Sequence, residues 1–223
     1  MNKIILSDKE IGAGMPVFIV AEGADAHLGD LEVAKEMARQ AKIANADAIK
    51  FQHHLPDEEM LPDTPMSDNM SEPLYDFLLK NALSLDQHIE LKNFCDEICI
   101  KYMCTPFSFK AAEELFENNL IDIIKIGSGE MTDIPSLLKM SDFGLPMIIS
   151  TGMCSYDEIA ETYDALLEKN TQLALLNCVS EYPPDYEDIN LKVISKMQSM
   201  FPKAIIGHSD HTPTIYTCFG AVT

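Results

Sequence analysis

Polar side chains follow several short apolar runs of this sequence, and their types suit the binding of an anionic molecule. Lys50 and Lys125 each interrupt an apolar run. A buried ammonium group without a partner is costly, so each lysine must meet a carboxylate or an anionic ligand. The hydroxyl residues that end neighbouring runs are Thr105, Ser128, Ser150, Thr151, Ser180 and Ser209. Two lysines with several hydroxyls indicate a site for phosphate and carboxylate groups.

Two other roles for the lysines stay open. Either lysine could form a structural ion pair inside the fold, for instance with Glu22. A lysine on a strand could also form a Schiff base with a carbonyl substrate. One lysine would suffice for that reaction, and the hydroxyl residues would then be surplus.

His211 follows Ser209 and Asp210 at the end of an apolar run. Adjacent residues of a strand point to opposite sides, so these three residues do not form a hydrolytic triad. A metal ligand or a proton-transfer group is the more plausible role for His211. Other polar residues at run ends are Glu22, Gln52, Glu130, Glu181 and Tyr182.

Buried parallel strands alternating with helices would position these residues. Such strands read as apolar runs because helices cover both faces of the sheet. The runs are Val17–Ala21, Ala48–Phe51, Ile100–Cys104, Ile123–Ile126, Met147–Ile149, Leu173–Cys178 and Ala204–Gly207. Capping boxes at Ser84 with Gln87 and at Ser155 with Glu158, and caps at Asp30 and Asp133, predict helix starts.

Regular β-α alternation without a GxGxxG motif after the first strand favours a (β/α)₈ TIM barrel over an open sheet. Seven strands are predicted, with Pro213 to Val222 as the seventh helix, so we expect a barrel domain over 1–223 that is truncated before the eighth strand. A proline-rich insertion from His53 to about Pro73 is expected to be a lid or substrate loop.

The chain has 36 acidic and 16 basic residues, a net charge of −20. This balance argues against binding to nucleic acid or to an anionic membrane surface. No apolar run approaches the ~20 residues of a membrane span, and the N-terminus lacks a signal-peptide pattern. The six cysteines show no zinc-like spacing, so we expect reduced thiols in a cytoplasmic protein.

Taken in order, the blocks at the strand ends resemble the N-acetylneuraminate (sialic acid) synthase family, which includes legionaminate and pseudaminate synthases. The resemblance runs from about residue 16 to the end. The blocks are Ala21-Glu22 with His27 and Gly29-Asp30, Ala46–Gln52, Thr105-Pro106-Phe107, Lys125–Glu130, Ser150–Met153, Ser180–Pro183, Tyr186-Glu187-Asp188 and Ser209–Thr212. Each block alone is weak, whereas the ordered set is highly specific.

The resemblance implies a barrel enzyme that condenses phosphoenolpyruvate with an N-acetylated amino sugar. It places phosphoenolpyruvate among Lys50, Thr105, Lys125, Ser128, Ser150 and Ser209. It assigns Glu22, Gln52, Asn69 and Tyr182 to substrate, and Glu130 to proton transfer. His211 would be one of two histidines that hold a divalent metal, Mn²⁺ or Mg²⁺. Ser180 stands where relatives have asparagine.

The sequence also departs from the family. Ala26 precedes His27 where relatives commonly have asparagine. Relatives carry an eighth strand with the second metal histidine, and a C-terminal antifreeze-like domain that supplies an arginine to a partner's active site. We expect neither within residues 1–223. The full-length protein is expected to be a homodimer. Two alternatives remain. The chain could be another barrel enzyme that acts as a phosphoenolpyruvate or pyruvate aldolase, or it could be a non-catalytic truncated barrel.

Overall fold

A computed structural model describes residues 3–6, 9–66, 70–169 and 172–223 of the chain. The chain divides into two compact units. One unit comprises the N-terminal segment up to Val17 together with Asp122–Thr223, and the other comprises Phe18–Ile121. Each unit is described by itself.

Strands and helices alternate along most of the described chain. In order, the elements are β1 (Lys3–Leu6), β2 (Lys9–Gly12), β3 (Val20–Ala24), α1 (Leu31–Ile43), β4 (Ala48–His53), α2 (Pro56–Glu59), α3 (Leu74–Asn81), α4 (Leu85–Glu97), β5 (Lys101–Pro106), α5 (Phe109–Glu117), β6 (Ile124–Ile126), α6 (Ile134–Ser141), β7 (Met147–Ser150), α7 (Tyr156–Leu167), β8 (Leu173–Cys178), α8 (Lys192–Met200), β9 (Ile205–Ser209) and α9 (Tyr216–Val222).

The unit Phe18–Ile121 has a parallel sheet in the order β3-β4-β5. Glu22 pairs with Lys50, and Gln52 pairs with Thr105, so these side chains share one face of the sheet. Phe51 and Tyr102 lie on the opposite face, where both are buried and their rings stack with centroids 6.2 Å apart. Helix α4 packs on this face, because His88 of α4 contacts the hydroxyl of Tyr102.

The other unit has a parallel sheet in the order β6-β7-β8-β9. Its strands are buried apolar segments, such as Ile124 and Ile126 of β6 and Met147 and Ile149 of β7. Burial on both faces removes the alternation of apolar and polar residues, which is why these strands read as continuous apolar runs. The same unit contains an antiparallel hairpin of β1 and β2, which the sequence pattern did not predict.

The expected α/β fold with parallel sheets is confirmed. The predicted helix starts are confirmed as well: Ser84 and Ser155 form complete capping boxes, and the Asp30 and Asp133 side chains cap α1 and α6. The predicted bounds of the first strand, 17–21, are wrong: β3 begins at Val20, and Ile19 just before it is 56% exposed. Among the described residues, no helix is both long and apolar enough to cross a bilayer.

The polar residues that follow several apolar runs belong to the strands themselves. β4 continues through Gln52 and His53, β5 through Thr105, β7 through Ser150 and β9 through Ser209. The apolar pattern ends before these residues, but the backbone hydrogen bonds between strands continue through them. The predicted strands are therefore too short at this end. His53 was therefore wrongly assigned to the insertion, which also contains α2.

Candidate functional site

The unit Phe18–Ile121 carries a group of polar residues that we call the Lys50 cluster, formed by Glu22, Lys50, Gln52 and Thr105. Lys50 is only 6% exposed, and its ammonium group forms an ion pair with the carboxylate of Glu22. The same Nζ atom donates to Thr105 Oγ1 at 3.3 Å. Parallel pairing of β3, β4 and β5 puts all of these groups on one face. The ion pair with Glu22 is one of the roles that the sequence left open.

Gln52 contacts a residue outside the predicted set. Its Oε1 atom lies 3.0 Å from Nε2 of His54, the first residue after β4. His54 also contacts Glu59 and Asp25, at 2.8 Å and 3.2 Å. Its ring stacks on Phe107 with the centroids 4.2 Å apart. Gln52 is thus held from one side by a buried imidazole.

Three further histidines lie buried in the same unit. His53 Nε2 contacts Glu114 at 3.0 Å, and His88 Nδ1 contacts the hydroxyl of Tyr102 at 2.7 Å. Burial lowers the pKa of His27 and His53, and together with the neighbouring imidazoles it lowers the pKa of His88 to about 3. These contacts give His88 a structural role.

The other unit carries a second group of polar residues, the Lys125 cluster, formed by Lys125, Ser128, Ser150, Gly152 and Ser180. Lys125 is 7% exposed, and its Nζ atom donates to Ser150 Oγ at 2.9 Å and to the carbonyl oxygen of Ile126 at 2.7 Å. A buried ammonium group beside hydroxyl oxygens is a suitable group for binding phosphate or carboxylate.

The serines of the Lys125 cluster meet at Gly152, in the loop after β7. The Gly152 N–H donates to Ser128 Oγ at 3.0 Å. A Cβ atom built on Gly152 would overlap Ser180 Oγ and lie 2.9 Å from Ser128 Oγ. Two hydroxyl groups from different loops therefore converge on this glycine. A side chain at this position would displace both hydroxyl groups.

His211 has a fixed orientation beyond the end of β9. Its Nδ1 atom lies 2.7 Å from the carbonyl oxygen of Val179, and its ring stacks on Tyr182 with centroids 4.2 Å apart. Because a carbonyl oxygen only accepts, Nδ1 carries the proton, and Nε2 of the neutral ring keeps a lone pair. His211 therefore fits as one metal ligand. The described residues contain no group of three or more side chains that would complete a metal site.

The remaining predicted residues are less tightly placed. Ser209 ends β9 beside Cys178, and Glu130 lies half-buried in the turn before α6, where its carbonyl accepts from the Asp133 N–H at 3.1 Å. Asn69 lies outside the described residues. Asp210 accepts from Thr212, and its Oδ1 atom lies 3.6 Å from His208 Nε2.

The model of the NeuB family matches residues 37–223 of the chain. The chain belongs to the NeuB family. This membership confirms the resemblance found at the strand ends.

Among the relatives of this NeuB chain, the N-acetylneuraminate-9-phosphate synthase of Homo sapiens is 35% identical over 95% of the chain and 60% of the human protein. The N,N'-diacetyllegionaminic acid synthase of Legionella pneumophila is 33% identical over 99% of the chain and 66% of the relative. The NeuB chain thus spans less than two thirds of the length of both curated relatives.

A solved structure has the same fold as the NeuB chain. The N-acetylneuraminic acid synthetase of Leptospira borgpetersenii matches with a TM-score of 0.89 at 31% identity, over 99% of this chain and 74% of the other.

Sequence reasoning missed the contacts of His54 with Asp25 and Glu59, and the packing around Gly152. His54 stood next to His53 in an apparent loop, and Glu59 was one of several acidic residues there. Neither has the spacing of a motif. Gly152 appeared in the sequence only as part of the Ser150–Met153 block of the family resemblance, and no role was predicted for it.

Proposed function

We propose that this NeuB protein condenses phosphoenolpyruvate with an N-acetylated amino sugar, giving a sialic-acid-type nonulosonic acid and inorganic phosphate. N-acetylmannosamine or a 6-deoxy diacetamido hexose is the proposed sugar class. The observation that carries the proposal is a pair of buried lysines, Lys50 and Lys125, each beside hydroxyl residues at the end of a parallel strand. Synthases of sialic and legionaminic acid in the same family support it.

The (β/α)₈ barrel fold is part of this proposal. In that fold, residues at the ends of different strands act in one active site. The fold would therefore explain why polar residues end several strands of this chain. Lys50, Thr105, Lys125, Ser128, Ser150 and Ser209 would then bind the phosphate and carboxylate of phosphoenolpyruvate. Ser180 would contribute a further hydroxyl where relatives have asparagine.

The reaction needs these groups for two reasons. The phosphate and carboxylate of phosphoenolpyruvate remain negatively charged throughout, and positive charge develops at its C2 atom. C3 of phosphoenolpyruvate attacks the aldehyde carbon of the open-chain sugar, forming the new carbon–carbon bond as the carbonyl oxygen gains a proton. Water then adds at C2, and phosphate leaves with cleavage of its C–O bond. Ammonium and hydroxyl groups that are already in place stabilise these charges without reorganisation.

Glu22, Asn69 and Tyr182 are proposed to contact the amino sugar, Gln52 to contact a substrate, and Glu130 to influence proton transfer. Glu22 can accept from sugar hydroxyls because its side chain is 51% exposed on the face that carries Lys50. Tyr182 is exposed and stacks on His211, so its phenol lies beside the proposed metal ligand.

His211 would hold Mn²⁺ or Mg²⁺ through Nε2, the ring nitrogen that the contact with Val179 leaves with its lone pair. When bound, such an ion supplies Lewis-acid polarisation of the sugar's carbonyl oxygen. The second metal histidine, a homodimeric assembly and a cytoplasmic location complete the proposal. The six free cysteines are consistent with a reducing compartment.

Phosphate release from phosphoenolpyruvate against a panel of N-acetylated amino sugars tests the proposal. We expect sugar-dependent release that chelation of divalent metal abolishes. Lys50→Met or Lys125→Met should lower kcat/KM for phosphoenolpyruvate by about 10- to 100-fold, since a hydrogen bond to a charged group contributes about 1.5–3 kcal/mol. Lys110→Met, which removes an exposed lysine paired with Glu113 on α5, is the control.

The same samples separate this reaction from Schiff-base chemistry. A Schiff-base aldolase gains mass and loses activity when borohydride is added with pyruvate. We expect neither change. Sugar-dependent phosphate release at the wild-type rate by both lysine variants would contradict the proposed site.

A further inference from the structure

His54 lies between three oxygen atoms from three different segments. Its Nδ1 atom is 2.8 Å from Glu59 Oε2 in α2. Its Nε2 atom is 3.2 Å from Asp25 Oδ2 in the turn after β3 and 3.0 Å from Gln52 Oε1 in β4. The side chains of His54 and Glu59 are each only 5% exposed, and that of Asp25 is 16% exposed. The contacts are therefore shielded from water.

Both ring nitrogens of His54 face carboxylate oxygens, which only accept hydrogen bonds. Each nitrogen must therefore donate, and the ring is an imidazolium. The hydrogen bonds and charges of Asp25 and Glu59 outweigh desolvation by burial, which acts in the opposite direction, and raise the pKa of His54 to about 9. The positive charge is thus present at neutral pH.

An imidazolium at this position fixes the orientation of the Gln52 amide. The oxygen Oε1 must face His54 Nε2, because the reverse orientation would place the amide NH₂ group against another donor. The amide NH₂ group then faces away from His54. Gln52 and Lys50 are two residues apart on β4, so both side chains lie on the face of the Lys50 cluster.

We propose that His54, held by Asp25 and Glu59, is a positioning residue that presents the Gln52 amide NH₂ group as a hydrogen-bond donor toward the substrate. This inference rests on the proposed function for the identity of the substrate, an amino sugar or phosphoenolpyruvate. It does not rest on that function for the orientation of Gln52. The stack of the His54 ring on Phe107 keeps the ring plane fixed while the two carboxylates hold its nitrogens.

A double-mutant cycle tests whether His54 acts through Gln52. His54→Asn in the wild-type background should lower kcat/KM by up to about 100-fold, the cost of misplacing a binding group by about 1 Å. In the Gln52→Ala background the same change should cause little further loss, because the group that it positions is already gone. Equal losses in the two backgrounds would overturn the proposal, since they would show a structural effect independent of Gln52.

Conservative variants distinguish a loss of positioning from a folding defect. Glu59→Gln and Asp25→Asn keep the shape of each partner and remove its charge, so they should reproduce part of the effect of His54→Asn. Asp57→Asn is the matched control, because Asp57 also lies on α2 but is exposed and bonds Tyr75 at 2.6 Å. A variant enters the comparison only if its thermal unfolding is cooperative.

A nuclear magnetic resonance titration tests the orientation without any enzyme assay. The imidazole nitrogens of His54 should both be protonated at neutral pH and titrate near pH 9. The side-chain amide signals of Gln52, assigned by their loss in Gln52→Ala, should shift with the same midpoint. Glu59→Gln should lower that midpoint, and Asp57→Asn should leave it unchanged.

Charged and titratable groups that face His54 include Asp25, Glu59, and the imidazoles of His27, His53 and His88. Burial lowers the pKa of those three imidazoles, so they stay neutral near pH 9 and do not produce the titration. Gln52 signals that ignore the deprotonation of His54 would overturn the positioning role. Loss of the synthase reaction in every assay would overturn the proposed function and leave this result standing.

Discussion

The backbone N–H of Gly152 donates to the hydroxyl oxygen of Ser128 at 3.0 Å, joining the loop after β7 to the loop after β6. This bond leaves the Ser128 proton available for another acceptor, since the hydroxyl oxygen is occupied as an acceptor by the backbone. Ser128 is thus set to donate to a ligand. Gly152 acts by its backbone and by its lack of a side chain.

Gly152→Ala is therefore expected to impair ligand binding. The added Cβ atom would overlap Ser180 Oγ, crowd Ser128 Oγ at 2.9 Å and approach the carbonyl oxygen of Cys178 at 3.2 Å. The serine side chains can rotate away, whereas the carbonyl is part of β8. We expect kcat/KM for phosphoenolpyruvate to fall by roughly 10-fold or more, with overpacking costing stability of about 1–3 kcal/mol.

Gly129→Ala provides the matched control for stability in this test. Gly129 lies next to Ser128, and a Cβ atom there would meet nothing within 4 Å. The free energy of unfolding of the Gly129→Ala protein, measured in urea, should equal that of the wild type within about 0.5 kcal/mol. A Gly152→Ala protein that binds phosphoenolpyruvate as the wild type does would show that the hydroxyl arrangement is not needed.

The sequence predicted the elements that rest on strong local signals. Ser84 and Ser155 initiate helices through side-chain and backbone bonds within four residues, so the capping motif alone identifies them. Leu173–Cys178 is predicted with its observed bounds, because a strand buried in a parallel sheet reads as a short apolar run. The β1–β2 hairpin escaped prediction because its strands are four residues each, too short to show a clear period.

The candidate site was predicted as residue types at strand ends, not as contacts. Strand periodicity puts Lys50 and Gln52 on one face, but it does not say that the Glu22 carboxylate forms an ion pair with Lys50. The contact of His54 with Asp25 and Glu59 joins three segments. Such contacts depend on where the fold places the backbone of each segment, and a single sequence does not reveal that placement.

Acid is expected to destabilise the unit Phe18–Ile121 through its buried neutral histidines. Burial lowers the pKa of His27, His53 and His88, the last to about 3, so the unfolded chain binds more protons once pH falls below about 6.5. Stability is then lost as pH falls. A histidine that is still neutral at pH 5 in the folded protein costs about 2 kcal/mol there.

Urea unfolding at pH 7.5, 6 and 5 measures this loss. His88→Gln removes one titrating group and should flatten the decline, even though the variant also loses the bond to Tyr102 and starts from a lower stability. An unchanged pH slope in His88→Gln would exclude His88 as a source of the acid sensitivity.

Removing the cap of α7 should cost about 1 kcal/mol of stability. Ser155 Oγ accepts from the Glu158 N–H at 3.3 Å, and the Glu158 carboxylate accepts from the Ser155 N–H at 2.7 Å. Ser155→Ala removes the first of these bonds and should lower Tm by about 2–4 °C in a chain of this size. Ser199→Ala, an exposed serine on α8, should change Tm by much less, and equal shifts in the two variants would contradict the cap.

Glu22→Gln is expected to tighten the binding of phosphoenolpyruvate while slowing turnover. The Glu22 carboxylate forms an ion pair with Lys50, and an anionic substrate that binds Lys50 must replace or share that contact. Since Glu22 is about half exposed, the pair contributes only about 0.2–1 kcal/mol, so we expect Kd to fall by at most about fivefold. Calorimetric titration with phosphoenolpyruvate measures Kd, and Glu36→Gln, which removes an exposed carboxylate on α1, is the control. Weaker binding in Glu22→Gln than in the wild type would show that Glu22 supports the anion site and does not compete with it.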